Sequence, residues 1–309
     1  MSTPAGAAAH SMPAGESSLP SASAAPLCTS CAYPVPHVYT TYSSRSNIRL
    51  SVCPRCNSFV DPLIEAPPLL LVLDLVLLKP RVFLHLLYNR GSPPLDARDA
   101  STLPPTHKSD GYDRAAGLRA DLLRLGAATL AADVAVRFAD RPMLSILRLA
   151  LVAAIELAAQ LFTSTAAALV ILRLHGWYPP TSKGVGDGRR DGFLPILVPL
   201  VLLYTALLPL VLRLVLRIWY MPTFTEPALS FTGLLTAHVP GIAAEFENLA
   251  HAWGHTDRVW AGTRLLGGMS AGFGLRVLLP TRPWETVSIV LAGWTVALGA
   301  ARLCEMIGL

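Results

Sequence analysis

Cys28-Thr29-Ser30-Cys31, followed after 21 residues by Cys53-Pro54-Arg55-Cys56, is the stretch on which the N-terminal fold turns. Two residues between cysteines let a tight turn aim both thiolates at one ion. A hairpin of about 20 residues then returns a second such turn to complete a tetrahedron. The intervening residues suit that hairpin. Pro36–Thr41 and Asn47–Val52 hold Val, Tyr, Thr, Ile and Leu, which favour strands, and Ser43-Ser44-Arg45-Ser46 suits the turn between them. The spacing predicts a zinc ribbon in which Cys28, Cys31, Cys53 and Cys56 hold one Zn²⁺. Protein would fill all four positions and leave none for water, so the ion is structural rather than catalytic. Four thiolates around Zn²⁺ leave a net charge of about −2, which Arg45, Arg49 and Arg55 are placed to offset. A pair of thioredoxin-like redox motifs would need a βαβ context that is not found here. Cys304 has no neighbouring cysteine and reads as a buried or interfacial thiol.

Working outward, residues 1–27 are rich in Ser, Ala and Pro with Glu16 as the single charge, the composition of a disordered tail. They lack a basic segment ahead of an apolar one, so they are not expected to be a signal peptide, and the head is expected in a reducing compartment. On the other side, residues 67–90 contain an apolar run too short to cross a bilayer, with Asp74 inside it. Pro80 breaks a helix arriving from Leu70 but suits the first turn of a new one running to Asn89. Two short helical pieces lying at the membrane interface are predicted. Residues 91–118 read as a linker, and residues 119–140 alternate Arg and Asp with Leu, Ala and Val at helical spacing, as in an amphipathic surface helix.

Beyond Arg148 charges thin out. The chain of 309 residues is 52% hydrophobic and only 15% charged, against roughly a quarter charged in soluble domains. Leu149–Leu172 has one charge, Glu156, and Phe193–Leu212 has none, followed by Arg213 and Arg217 where they can snorkel to the interface. Thr286–Ala301 is uncharged between Glu285 and Arg302. Pro227–Ala244 is interrupted at Pro240-Gly241, and residues 259–279 hold Arg264, Arg276 and a GxxxG spacing at Gly268 and Gly272. Three to five spans are expected. The formal net charge of +5 fits basic loops of a membrane protein and not a nucleic-acid footprint. The predicted organisation is a tail (1–27), a zinc-ribbon head (28–66), an interfacial segment (67–90), a linker and surface helix (91–148), and an α-helical multi-span body (149–309).

Polar groups near or inside the apolar segments are the remaining candidates. Asp61-Pro62-Leu63-Ile64-Glu65 precedes a segment that carries Asp74, Lys79, Arg81, His85 and Asn89. Two readings stand: helix-end satisfaction with His85 at the lipid surface, or a patch in which Asp74, Arg81, His85 and Asn89 meet lipid headgroups or a partner. Inside the first span Glu156, Gln160, Thr163 and Ser164 form one polar stripe, which serves either as interhelical glue or as a headgroup path. No Ser-His-Asp, Cys-His or open metal arrangement appears, so a membrane transferase is the least favoured class.

Cys-x-x-Cys, a hairpin, Cys-Pro-x-Cys, an Asp-to-Ile-Glu step, an apolar stretch with Asp, Leu77-Leu78-Lys79-Pro80 and His85-Leu86-Leu87-Tyr88-Asn89 together resemble the Arv family over residues 28–90. These proteins are named for being required when a sterol acyltransferase is missing. The sequence departs from the family at Leu84, where an Arg commonly precedes the histidine, at Pro62, and in the long 91–140 insertion. The resemblance implies a non-enzymatic endoplasmic-reticulum membrane protein of lipid homeostasis. Its implied partners are membrane lipids and sterols, with glycosylphosphatidylinositol-anchor biosynthesis enzymes and sphingolipid balance also linked to it. A zinc-ribbon adaptor that docks a lipid-modifying enzyme is the alternative. The zinc head is expected in the cytosol, since Lys79, Arg81 and Arg90 flank the first membrane contact.

Overall fold

The computed structural model describes residues 25–42, 47–96, 114–140, 145–179, 188–219 and 258–307. The predicted turn at 43–46 and the interrupted span at 227–244 lie outside them. Strand β1 (Tyr39–Thr41) pairs antiparallel with β2 (Ile48–Leu50), Tyr39 opposite Leu50 and Thr41 opposite Ile48. The strands are shorter than the residues suggest, because Val52 already bridges to Phe59 inside the second cysteine turn. A two-residue β3 (Leu95–Asp96) adds parallel to β1, giving the order β2-β1-β3.

After a 3₁₀ turn at Pro62–Glu65 come helices α1 (Pro68–Val76) and α2 (Pro80–Leu84). The break falls where Pro80 predicts it. Proline cannot continue the incoming helix but fits the first turn of the next, where the missing N–H would have no partner anyway. Leu78, at φ +54°, makes the corner. Helix α2 then widens into a π turn at His85–Asn89, closed by Arg90 N–H donating to His85 O at 2.8 Å.

Among the described residues five long helices follow, with a short α5 (Gly188–Asp191) among them: α3 (Arg114–Asp140), α4 (Ile146–Leu174), α6 (Leu197–Trp219), α7 (Arg258–Leu278) and α8 (Pro283–Met306). Among the described residues three stretches are long and apolar enough to cross a membrane: Ile146–Leu174, Leu197–Leu216 and Pro283–Met306. Each contains or overlaps a span expected from the sequence. Helix α7 covers the 259–279 stretch and packs on α6 and α8, and α3 lies along α4 and α6 with Leu118, Thr129 and Val136 buried.

Helices α4 and α8 run antiparallel, as two contacts show. Ser164 Oγ donates to Ile289 O at 3.4 Å, while His175 Nε2 meets Glu285 at 3.2 Å, so α4 descends as α8 ascends. Pro209 inside α6 offers no N–H to Thr205 O. Ser270 Oγ of α7 donates to that carbonyl at 3.2 Å, so the freed backbone group is satisfied by the neighbouring helix. The GxxxG spacing works on one side only. A Cβ on Gly268 would lie 2.6 Å from the Trp294 ring, whereas one on Gly272 would meet nothing within 4 Å. Tighter still is Gly293 of α8, where a Cβ would collide with Ser164 Oγ and come within 3.2 Å of Gln160 O.

The ribbon rests on one end of this bundle. Arg114 Nη1 donates to Gly192 O at 3.1 Å, Tyr88 OH to Arg189 O at 3.3 Å and Arg189 Nη1 to Val277 O at 3.1 Å. Gly188 is seated against Leu27, Ala32 and Pro34 with no room for a side chain. Leu27 itself belongs to the helical core with Phe83, Leu87 and Leu197, while its neighbour Cys28 belongs to a small ribbon core with Val35, Val38, Cys53 and Val60.

The glycine contrast is testable. Gly293→Leu should drive α4 from α8 and markedly lower the melting temperature of the detergent-solubilised protein. Gly272→Ala should leave it unchanged or raise it, since helix propensity favours Ala by about 0.5–1 kcal/mol.

Candidate metal centre and its clasp

The two cysteine turns are built alike. Cys28 N–H donates to Tyr33 O at 2.9 Å and Cys53 N–H to Ser58 O at 2.9 Å. Ala32 N–H returns to Cys28 O at 2.9 Å and Asn57 N–H to Cys53 O at 3.0 Å. The residue after each second cysteine is left-handed, Ala32 at φ +56° and Asn57 at φ +55°. Asn tolerates that conformation, whereas Ala bears a cost of about 1–2 kcal/mol. Both turns thereby aim their thiols at one point.

All four Sγ atoms lie within 4.8 Å of one another, Cys28 to Cys56 at 3.7 Å and Cys31 to Cys53 at 3.6 Å. A tetrahedron with metal–sulfur bonds of about 2.3 Å has edges near 3.8 Å, so the spacing fits one soft divalent ion and is far too long for a disulfide. The four cysteines could hold Zn²⁺ with no position left open. Burial pushes the Cys31 thiol up to about 12 and raises that of Cys28. A backbone hydrogen bond with Ser58 draws Cys56 down to about 6. A cation would supply the charge that ionises the buried pair. Arg49 and Arg55 are exposed on the ribbon, and Arg45 lies outside the described residues.

Beside this centre lies a second, purely polar cluster. Asp61 is fully buried. Its Oδ1 accepts from Leu63 N–H at 3.1 Å, and its Oδ2 faces Asn89 Nδ2 at 2.8 Å and His85 Nδ1 at 2.7 Å. Leu63 N–H and the Asn89 amide are obligate donors, so the carboxylate accepts throughout and His85 carries its proton on Nδ1. Asn89 also clasps the backbone of Leu27, accepting from its N–H at 2.8 Å and donating to its C=O at 2.7 Å. The residue ahead of Cys28 is thus held as a strand partner would hold it, from the last residue of the π turn.

A model of the Arv1-like family matches residues 27–232, two thirds of the chain. The chain belongs to the Arv1-like family. It is 43% identical over 63 residues to protein arv1 of Schizosaccharomyces pombe and 41% over 63 residues to ARV1 of Saccharomyces cerevisiae. With protein ARV 1 of Arabidopsis thaliana the figure is 36% over 66 residues. These stretches cover 20%, 20% and 21% of this chain, and 24%, 19% and 26% of the relatives, so the match spans about a quarter of their length or less. No solved structure matches the chain.

The other polar residues singled out in this Arv1-like chain go to separate places. Asp74 is buried and pairs with Lys79 at 2.6 Å. Arg81 lines an open depression on the ribbon with Ser30, Val52 and Phe59. His85 and Asn89 are 7% and 3% exposed, turned inward to Asp61. The stripe on α4 is divided between two neighbours: Ser164 and Gln160 abut α8, while Glu156 bonds Arg137 of α3 at 2.9 and 2.5 Å. The residue that sequence reasoning did not count as part of a site is Asp61. Its signal was present, an Asp ahead of Pro at the start of a short helix, where a capping carboxylate is expected.

Zinc titration into metal-free Arv1-like protein at pH 7 should saturate near one ion per chain. It should release at least two protons per ion, from Cys28 and Cys31, and the apparent affinity should fall as pH is lowered because protons compete for the thiolates. Asn89→Ala should strand both backbone groups of Leu27 and remove one donor from Asp61, at a cost of about 2–4 kcal/mol. Faster zinc loss to a chelator and proteolysis near Leu27 are the readouts. Asn89→Asp, which faces Asp61 with a second carboxylate, should be worse.

Proposed function

We propose that this chain is a non-enzymatic, multi-pass endoplasmic-reticulum membrane protein of lipid homeostasis, with a structural Zn²⁺ in a cytosolic ribbon. In this reading it assists sterol distribution and the supply of glycosylphosphatidylinositol-anchor and sphingolipid intermediates. Family membership and the resemblance of residues 28–90 support the lipid role. The observation that carries the reading is the outer face of α1. Leu69, Leu70, Val72, Leu73 and Leu77 are all exposed, Leu69 to 80%, beside a metal centre whose thiols leave no open position. Four large apolar side chains on a nine-residue helix, with Leu77 at its C-cap, are what a helix lying in the headgroup boundary presents. Asp74 and Leu75 turn the other way, so the charge that argues against a span is kept off the lipid.

An adaptor role is the second reading. The depression of about 310 Å³ on the ribbon, with Phe59 and Val52 each 56% exposed beside Arg81, has the apolar rim and single cation that a partner segment would engage.

Spin labels at Leu69, Leu73 and Leu77 in reconstituted protein should all report one shallow depth, and labels stepping through the bilayer centre would refute the interfacial placement. In S. cerevisiae cells lacking their Arv1 protein, Leu69→Asp with Leu73→Asp should retain zinc and abolish complementation. Phe59→Asp with Arg81→Ala should complement. The opposite pattern would select the adaptor.

A further inference from the structure

The chain path places charged side chains at membrane depth. The C-terminus of α4 and the N-termini of α6 and α8 gather at the ribbon end of the bundle, so α4 begins at the other end. The ribbon precedes α4, and the described element between them is α3, which runs from Arg114, bonded to Gly192 O, to Arg137, bonded to Glu156. Helix α7 likewise returns the chain from the far end of α6 to the start of α8. At 27 and 21 residues, α3 and α7 are long enough to accompany the three apolar helices across. Glu156 stands 18 residues before Leu174, Arg213 16 after Leu197, and Arg264 14 before Leu278. At about 1.5 Å per residue they share a level about 21–27 Å from the ribbon end, toward the far side of a hydrocarbon layer about 30 Å thick.

At that level a cavity of about 170 Å³ opens between α3, α4, α6, α7 and α8, lined among others by Asp133, Arg137, Glu156, Arg213 and Arg264. We propose that this cavity is a binding site for a phosphate group, that of a lipid headgroup in the leaflet opposite the ribbon. Among the described residues its walls carry three guanidinium groups against two carboxylates, a net charge of +1. Arg137 takes up both acids, Asp133 at 2.7 Å and Glu156 at 2.9 Å. Among the described residues Arg213 bonds only Asp133, through Nη1 at 3.4 Å, leaving most of its five N–H donors for a ligand. Thr129, 7% exposed in the same wall, has a hydroxyl with no hydrogen-bond partner. A planar guanidinium matches phosphate oxygens two at a time, and an ionisable group at membrane depth normally marks a ligand path or a paired support. The cavity is smaller than the roughly 300–1,000 Å³ that encloses a whole small molecule. A sterol ring would strip these charges of solvent without pairing them. A headgroup phosphate suits both size and charge. The site deepens the lipid-handling reading, on which it rests for lipid as the source of the phosphate.

The test uses the full chain in maltoside micelles, with native mass spectrometry counting bound phosphatidic acid, and diacylglycerol as the phosphate-free control. One phosphatidic acid per chain should be retained and diacylglycerol should not. Arg213→Gln with Arg264→Gln should weaken binding at least tenfold, while Arg302→Gln leaves it unchanged. Asp133→Asn, which removes an acid from the wall, should tighten it severalfold. That variant decides if the double variant does not fold, since a network that merely ties helices together has no reason to hold phosphate better with one acid fewer. Competition by millimolar inorganic phosphate would assign the site to a free anion, and its absence to a lipid. Equal retention of both lipids, wild-type affinity in a folded double variant, or no tightening by Asp133→Asn would overturn the site. A double variant that loses phosphatidic acid yet complements fully would keep the site and detach it from lipid homeostasis.

Discussion

The burial of one carboxylate governs how the head joins the membrane body. Asp61 has no exposed surface, and removing such a charge from water costs several kcal/mol unless donors replace the solvent. Three do so: Leu63 N–H, His85 Nδ1–H and the Asn89 amide. Asn89 then spends its remaining polar capacity on Leu27. Residues 27, 61, 63, 85 and 89 must therefore all be in place at once. The ribbon and the α2–π turn are one cooperative unit rather than two elements in contact, and the π turn is the local distortion that brings its two polar side chains to bear on the same oxygen.

The same demand for satisfied polar groups shapes the bundle. Lipid offers no hydrogen bonds, so the carbonyl released by Pro209 must find a donor within the protein, and Ser270 of the next helix is that donor. Close approach is achieved by glycine where a partner is bulky or polar: Gly268 against Trp294, Gly293 against Ser164. Charges are paired, Arg137 with Asp133 within α3 and, across helices, Arg137 with Glu156 of α4 and Arg213 of α6 with Asp133, which keeps each at a distance from hydrocarbon it could not tolerate alone.

What could be read from the residues was whatever depends on spacing along the chain. The doubled Cys-x-x-Cys spacing anticipated four converging thiols, Pro80 anticipated the break between α1 and α2, and uncharged runs anticipated the three apolar helices. What depends on distant pairing was not legible. Asp61 and His85 are 24 residues apart, Asn89 and Leu27 are 62 apart, and neither pair has a periodicity to betray it. The stripe on α4 read as one polar face, but its residues serve different neighbours: Glu156 bonds Arg137 of α3, whereas Gln160 and Ser164 abut Gly293 of α8. Residues 119–140 look amphipathic and superficial in isolation. Their place along α4 and α6 follows from Arg137 and Asp133 finding partners there, which no property of the segment alone can show.

The four-thiol centre and the clasp bear on one problem of scale. A unit of about 40 residues seldom folds on its own core, and apart from its cysteines the apolar core of the ribbon is Val35, Val38 and Val60. Structural Zn²⁺ can supply about 10–16 kcal/mol of apparent folding free energy in units of this kind, more than such a core could. That energy would hold only the ribbon if the two cores were independent. They meet instead at Leu63–Ile64 and at the Leu27–Cys28 peptide bond, since Leu63 and Leu27 are packed among membrane helices while Ile64 and Cys28 belong to the ribbon core. Asn89 grips the backbone on the membrane side of that bond and the ion would grip it on the other. Order that an ion imposed on the thiols would therefore pass to Leu27, through Asn89 to Asp61, and so to the helix pair that carries the exposed face of α1.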